Sequence, residues 1–129
     1  MIVYQTLEHT PAATIHQAFI QAFSDYQLRN DMPLEDFSRM LTRRGYHAGL
    51  SLGAFNGQAL VGFTLNGLRP WENKPTCYDI VTGVIPACRG QGVASAMLSR
   101  LCLLLPDQGC RQYLLEVLRD NREAYRLYL

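Results

Sequence analysis

The sequence predicts an α/β domain, built as a mixed sheet with helices on both of its faces. Two observations lead to this class. The apolar periodicity gives elements in the order β-α-α-β-β-β-α-β-α, in which a hairpin-rich part precedes a strand, helix, strand unit. The chain has 129 residues, 48% of them hydrophobic, which is enough for one core. We therefore expect a single domain over residues 1–129.

The first three elements are a strand and two helices. Residues 2–7 have the composition of a short strand, and Thr10-Pro11 supplies a cap and a first-turn proline for a helix that runs to about Tyr26. A second, shorter helix begins near Pro33 after a polar break. In each helix the apolar residues recur at spacings of three and four, which predicts one buried stripe per helix.

A hairpin follows the helices. Residues 47–55 and 58–69 are strand-like runs on either side of Asn56-Gly57, a dipeptide that favours a tight turn because it accepts positive φ angles easily. A loop holding Pro70, Trp71 and Pro75 is expected next, and then a strand over residues 76–85. This strand opens the second part of the sheet.

The second half of the sequence predicts a helix, a strand and a final helix. The helix runs from about Gln91 to Leu104 and is stopped by residues 106–109, which contain a proline and a glycine. Residues 112–118 form a strand, and a helix runs from Asp120 to the end.

Composition and charge exclude several classes of protein. Twelve basic and eleven acidic residues give a net charge of +1 and are scattered, whereas a nucleic-acid binder concentrates its basic residues. No apolar run could span a bilayer, and the first residues lack the basic and apolar regions of a secretory leader, so we do not expect an exported protein. The four cysteines form no CxxC pair and have no histidine at ligand spacing. We expect a cytoplasmic protein without metal, and neither nucleic acid nor a membrane as its partner.

The segment between the predicted strand and the next helix favours anion binding. Gly90 and Gly92 let the backbone curl so that consecutive N–H groups point into one concavity at a helix start, and Arg89 adds a full positive charge. An ordinary turn explains such a glycine pair equally well. A P-loop is excluded because Val93-Ala94 follows Gly92, and Ser95 makes a poor dinucleotide fingerprint.

Residues 89–94, Arg-Gly-Gln-Gly-Val-Ala, resemble the acetyl-CoA loop of the GNAT superfamily of N-acetyltransferases, whose pattern is Arg/Gln-x-x-Gly-x-Gly/Ala. The preceding strand, with Pro86 after it, is similar to the fourth strand of that family. The resemblance implies a GNAT-like acyl-CoA N-acyltransferase fold with acetyl-CoA as co-substrate. It further implies that the cofactor contacts Thr82, Gly83, Val84, Arg89, Gly90, Gln91, Gly92, Val93, Ala94 and Ser95.

A second motif supports the resemblance. Glu116, Asn121 and Tyr128, together with Val117, Ala124 and Leu127, are similar to the fifth strand and following helix of the family. The resemblance implies that Glu116 is the general base, acting through a water molecule, that Tyr128 is the general acid and that Asn121 anchors the cofactor. Without the resemblance, Glu116 would be interpreted as an exposed strand-end carboxylate that makes a cap or an ion pair, and Tyr128 as a residue that packs a helix. Asp79 on the neighbouring strand is the reserve candidate for the base.

The end of the chain departs from the family pattern. Relatives continue into two more strands, one of which covers the fifth strand, whereas this sequence stops at Leu129. We therefore expect a C-terminally truncated GNAT-like domain without the final two strands. The fifth strand would then have a free apolar edge, which predicts a homodimer formed through it.

Three functions remain open at this point. The first is an N-acetyltransferase that moves an acetyl group from acetyl-CoA to a primary amine of a small molecule or peptide by direct attack. A backbone N–H near Val84 would polarise the thioester carbonyl. The alternatives are a non-catalytic acyl-CoA-binding or interaction module and a binder of another phosphorylated ligand.

Overall fold

A computed structural model describes residues 1–25, 31–117 and 123–128. This part of the chain contains one six-stranded sheet and three α-helices. The elements are β1 (Ile2–Thr6), α1 (Ala12–Ala22), α2 (Leu34–Arg43), β2 (Leu52–Asn56), β3 (Ala59–Trp71), β4 (Lys74–Val84), α3 (Val93–Leu104), β5 (Gln112–Val117) and β6 (Glu123–Tyr128).

The strands lie in the sheet in their chain order. All neighbouring pairs are antiparallel except β4 and β5, which are parallel and are connected through α3. A parallel pair needs a crossover of this kind because its second strand must start at the same end as the first. The predicted class, a mixed α/β sheet with a strand, helix, strand unit, is confirmed.

The helices divide between the two faces of the sheet. Helices α1 and α2 pack on one face, where Ile15 and Phe37 belong to the same buried cluster as Phe63 of β3. Helix α3 packs on the other face, where Met97 and Leu101 are fully buried. Strand β3 supplies Leu60, Phe63 and Leu65 to the first core and Val61 to the second, with a register shift at Val61 that interrupts the regular alternation. Each face of the central strands therefore has its own core.

The loop predicted around Pro70, Trp71 and Pro75 is instead part of a long hairpin. Strands β3 and β4 continue to a two-residue turn at Glu72 and Asn73, whose φ angles are 52° and 63°. Positive φ at both turn positions matches the twist of paired strands. The two prolines lie opposite each other, and an antiparallel ladder has pairs that exchange no hydrogen bonds.

The last described element is a strand, so the helix predicted from Asp120 to the end is wrong over residues 123–128, and the rest of that prediction lies outside the described residues. Strand β6 pairs antiparallel with β5, from Gln112 opposite Tyr128 to Val117 opposite Glu123. A segment of six residues fits helical and strand spacing about equally well. The partner strand decides the outcome, because pairing satisfies the backbone N–H and C=O groups along the edge of β5.

This pairing also removes the reason for expecting a homodimer. The expectation rested on an uncovered edge of the fifth strand, and β6 occupies that edge in the structure. An edge that already has a backbone partner offers no ladder to a second copy of the chain.

Gly83 allows α1 to lie close against β4, and this contact is testable. A Cβ atom at Gly83 would lie 2.9 Å from Cζ of Phe63 and 3.0 Å from Cβ of Ala22. We expect Gly83→Ala to lower the free energy of unfolding by about 1–3 kcal/mol, because both neighbours are buried in a packed core. Urea unfolding followed by circular dichroism measures this loss.

Gly49→Ala is the matched control for that substitution. The added Cβ would lie 3.2 Å from the exposed ring of His47, which can move away, and 3.9 Å from Cδ of Glu8, which is an ordinary contact. We expect a change within about 0.5 kcal/mol. Equal losses in the two variants would contradict the proposed role of Gly83.

Candidate functional site

The sheet opens between β4 and β5. Their parallel ladder joins only three residue pairs, from Thr76 opposite Gln112 to Tyr78 opposite Leu114. Beyond these pairs β4 continues to Val84 and β5 to Val117 without a ladder between them. The side chain of Gln112 holds the closed end by donating hydrogen bonds to Thr76 Oγ1, at 2.8 Å, and to the backbone oxygen of Trp71. The two strands therefore diverge from a fixed point.

A β-bulge in β4 lies where the separation starts. Val81 pairs with Leu65 and Asp79 pairs with Asn66, so Ile80 is an extra residue on β4. Residues three apart in a regular strand point to opposite faces, but one extra residue restores the same face. The bulge therefore places Asp79 and Thr82 on one side of the sheet.

These two residues begin a hydrogen-bonded network on the α3 side of the opening. Thr82 Oγ1 donates to Asp79 Oδ1 at 2.6 Å and lies 2.9 Å from Thr64 Oγ1. Tyr113 of β5 donates to Asn66 Oδ1 at 3.0 Å, and Thr64 Oγ1 lies 3.4 Å from the same oxygen. Three neighbouring strands are thus connected by side chains just where the ladder ends.

The environment of the network raises the pKa of two nearby groups. Burial raises the pKa of Tyr113 far above its ordinary value, and the negative charge of Asp79 adds to this effect. Burial likewise raises the pKa of the Cys77 thiol, with smaller effects from Cys110, Asp79 and Cys102. Tyr113 is therefore a permanent hydrogen-bond donor at neutral pH, and Cys77 is a structural thiol.

The glycine loop beside the opening has the conformation expected for anion binding. Gly90 and Gly92 have φ angles of 75° and 78°, and α3 begins at Val93. A Cβ at either glycine would meet no atom of the described residues within 4 Å, so this part of the structure leaves the space above the loop open. The first amides of any helix have no acceptor within the helix, and the helix dipole makes this end positive.

The loop, the end of β4 and the start of α3 surround one pocket. It has a volume of about 390 Å³ and is lined by residues 82–84, 88–90 and 92–95. A second pocket of about 180 Å³ extends into the sheet opening and shares Thr82, Ala94 and Ser95 with the first. All the predicted loop and strand residues line these pockets except Gln91. Most of the residues named from the sequence thus lie close together in the fold.

Arg89 lines the pocket, but its guanidinium is directed at α1. Nε donates to the backbone oxygen of Val84 at 3.1 Å. Nη2 donates to the backbone oxygen of Ala22 and, at 3.0 Å, to Asp25 Oδ1, while Nη1 contacts the other carboxylate oxygen. The Arg89 hydrogen bond lowers the pKa of Asp25 below its ordinary value. The positive charge of Arg89, which was expected to face a bound anion, is thus already paired with Asp25.

The residues of the second motif are distributed along β5 and β6. Glu116 lies on the part of β5 that has separated from β4, opposite Ala124. Tyr128 lies opposite Gln112, at the closed end, about 13 Å along the strand from the position of Glu116. Asn121 lies outside the described residues. The backbone therefore does not bring the predicted base and acid together.

Sequence reasoning missed several residues of the site. The sequence suggested Asp25 only as a residue near an acceptor pocket, and its pairing with Arg89 gave no signal because the two residues lie 64 positions apart. Thr64 and Asn66 did give one, since two polar residues at spacing two interrupt an apolar strand and must share a face. Tyr113 could not be recognised as a hydrogen-bond donor of the site, because its acceptor Asn66 lies on β3 and comes close only when the sheet forms.

Two further observations describe the residues that the structure covers. In that part of the chain, no three His, Cys, Asp or Glu side chains are grouped as metal ligands would be. None of the helices found there has the length and apolar composition needed to cross a bilayer.

Solved structures with the same fold include acetyltransferases. A GNAT family acetyltransferase from Brucella melitensis in complex with acetyl-CoA has a TM-score of 0.78 and 16% identity, covering 99% of this chain and 88% of that one. The ribosomal-protein-S18-alanine N-acetyltransferase from Escherichia coli has a TM-score of 0.68 and 18% identity, covering 94% and 70%. The NatC complex bound to Gag peptide and CoA has a TM-score of 0.69 and 19% identity, covering 93% of this chain and 76% of that one.

Sequence comparison gives the family. No curated protein sequence matches the chain. The model of the acetyltransferase (GNAT) family, in contrast, matches residues 13–129, which include both motifs and every strand except β1. This protein therefore belongs to the GNAT family of acetyltransferases.

Proposed function

We propose that the protein transfers an acetyl group from acetyl-CoA to a primary amine of a small molecule or peptide by direct attack. The observation that carries the proposal is the opening between β4 and β5 beside the N-terminal turn of α3. This combination offers an anion site and, next to it, a strand edge on which an extended ligand can lie. Family membership supports acetyl-CoA as the ligand.

The backbone would hold most of the cofactor. The amides of residues 90–95 would bind the diphosphate at the positive end of the α3 dipole. Beyond Tyr78, in the part of the chain that the structure describes, no strand pairs with the β5 side of β4. The N–H and C=O groups of residues 82–84 could then pair with the amides of the pantetheine arm, as an added strand would.

The acceptor must lose a proton before it attacks. An alkyl amine with a pKa near 10.4 is almost entirely protonated at neutral pH, which costs about 4 kcal/mol. We assign the base to Glu116, acting through a water molecule, because it lies on the part of β5 that no longer pairs with β4. Asp79 is the alternative base, since Thr82 connects it to both pockets. A backbone N–H near Val84 would stabilise the oxyanion.

The leaving thiolate needs a proton in return. We assign this step to Tyr128 and the anchoring of the cofactor to Asn121, and the motif alone supports both assignments. A phenol can donate to a thiolate of pKa near 8.5 once it is held in place. In the structure Tyr128 lies at the closed end of β5. This placement favours the second candidate function, an acyl-CoA-binding module without turnover.

Binding and turnover separate the two candidates. We expect isothermal titration calorimetry to give one acetyl-CoA site with a Kd of about 1 μM to 1 mM, the range of enzyme substrates. A thiol-release assay should then detect CoA with at least one member of a panel of primary amines. Binding without release for every amine would establish the module, and no binding would refute both candidates.

The glycine loop predicts a specific loss of cofactor affinity. We expect Gly92→Val to abolish acetyl-CoA binding in calorimetry, because the side chain would enter the pocket and strain the φ angle of 78°. Gly109→Val is the matched control, since Gly109 has a φ angle of 82°, lies outside the pocket and has no neighbour from residues 1–25, 31–117 or 123–128 within 4 Å of its Cβ position. Both variants should lose similar stability in thermal unfolding. If the two variants bound acetyl-CoA with equal affinity, the diphosphate would not bind at the glycine loop.

The proton-transfer roles predict changes in rate rather than in binding. We expect Glu116→Gln to lower kcat about 100-fold or more with little change in acetyl-CoA Kd, because a general base acts in the transition state. Tyr128→Phe should also lower kcat more than binding. Stopped-flow thiol release measures both. A larger loss in Asp79→Asn than in Glu116→Gln would assign the base to Asp79, and unchanged turnover in Tyr128→Phe would remove the acid role.

A further inference from the structure

The Arg89 guanidinium has three partners, which lie in two separate parts of the fold. It contacts the backbone oxygen of Val84 at the end of β4, the backbone oxygen of Ala22 at the end of α1, and the carboxylate of Asp25 just after α1. The backbone N–H of Arg89 also donates to the oxygen of Pro86. A planar guanidinium with several directed donors fixes its partners relative to one another, which a lysine could not do.

The contacts on the α1 side are chemically favourable. A cation at the C-terminal end of a helix interacts well with the last carbonyls and with the negative end of the helix dipole. The Asp25 carboxylate meets the guanidinium with both of its oxygens, and its pKa is lowered by this hydrogen bond first of all. Both side chains keep a solvent-exposed part, 36% for Arg89 and 51% for Asp25.

The position of Arg89 in the chain gives these contacts their importance. It comes directly before Gly90, and Val93 comes directly after Gly92. Val93 is only 3% exposed and packs against Ala54, Val61 and Met97. Glycine has the largest backbone freedom of any residue, so a turn of two glycines must be held from outside. Arg89 and Val93 are the two points that hold it.

We infer that Arg89 is a positioning residue that keeps residues 90–92 in the diphosphate-binding conformation by clasping Asp25 and the end of α1. The inference rests on the proposed acetyl-CoA site. It reverses the sequence-based expectation that the Arg89 charge itself meets the phosphates. A loop that is already ordered before binding loses less entropy on binding. Cofactor affinity should therefore depend on Asp25, although Asp25 does not line the pocket.

The opposite role for Arg89 makes the opposite prediction. If Arg89 left Asp25 to bind the phosphates, the carboxylate would compete with the cofactor for the guanidinium. Removing the negative charge of Asp25 would then tighten acetyl-CoA binding. If Arg89 instead acts as a clasp, that is, if its contacts with Asp25 and the end of α1 hold the loop, the same change loosens the loop and weakens binding. The sign of one measured change in Kd distinguishes the two roles.

The experiment uses Asp25→Asn, Arg89→Met and the double variant. Asp25→Glu keeps the carboxylate and tests rescue. Asp36→Asn is the matched control, because Asp36 pairs with Arg39 at 3.3 Å with a similar exposed fraction of 54%, but on α2. Two readouts are needed: amide hydrogen exchange of residues 90–95 without ligand, and the Kd for acetyl-CoA from calorimetry.

We expect Asp25→Asn to speed exchange in residues 90–95 and to raise the Kd about three- to fivefold, as the loss of an exposed ion pair allows. Arg89→Met should raise the Kd at least as much, and the double variant no further, because the two residues act as one unit. Asp25→Glu and Asp36→Asn should match the wild type in both readouts.

Several outcomes would overturn the inference: tighter binding by Asp25→Asn, an unchanged Kd, or losses that add fully in the double variant. The exchange measurement stands independently of the ligand. If the wild-type protein did not bind acetyl-CoA, the proposed function would fail. The clasp itself would then be supported by faster exchange of residues 90–95 in Asp25→Asn, and refuted by exchange equal to that of the wild type.

Discussion

The rest of the site depends on where the parallel ladder between β4 and β5 ends. Three residue pairs hold the strands together, and the extra residue Ile80 then redirects β4. The ladder is replaced by side chains: the hydroxyl of Tyr113 on β5 reaches Asn66 on β3, beneath the strand that lies between them. Because this bond is fully buried, it keeps β5 attached to the sheet at the point of divergence. Both pockets border the gap that results.

The elements with local signals could be predicted from the sequence. The expected hairpin forms, although its turn is Gly57-Gln58 because Asn56 still pairs with Ala59, and the curl expected at Gly90 and Gly92 is present as positive φ angles. In both cases the backbone conformation is set by residues next to each other in the chain. The same holds for α2, whose start at Leu34 follows a proline. Local sequence signals were therefore enough to predict the fold class and the conformation of the glycine loop.

The elements that depend on distant partners could not be predicted in this way. The bulge at Ile80 exists only relative to β3, and the strand character of residues 123–128 depends on β5. The pairing of Arg89 with Asp25 requires the end of α1 to reach the end of β4, which depends in turn on Gly83. A motif read along the chain gives residue types, but the direction of a long side chain such as Arg89 is set by the three-dimensional surroundings.

Thr82 illustrates what the network does to the pocket. A threonine hydroxyl has one proton, and the 2.6 Å contact commits that proton to Asp79. Toward the pocket, Thr82 can therefore only accept. A ligand group resting there has to bring its own hydrogen, as an amide N–H or an ammonium does, and a carbonyl in the same place would face an oxygen lone pair. A carboxylate outside the pocket lining thus selects the polarity of whatever enters it.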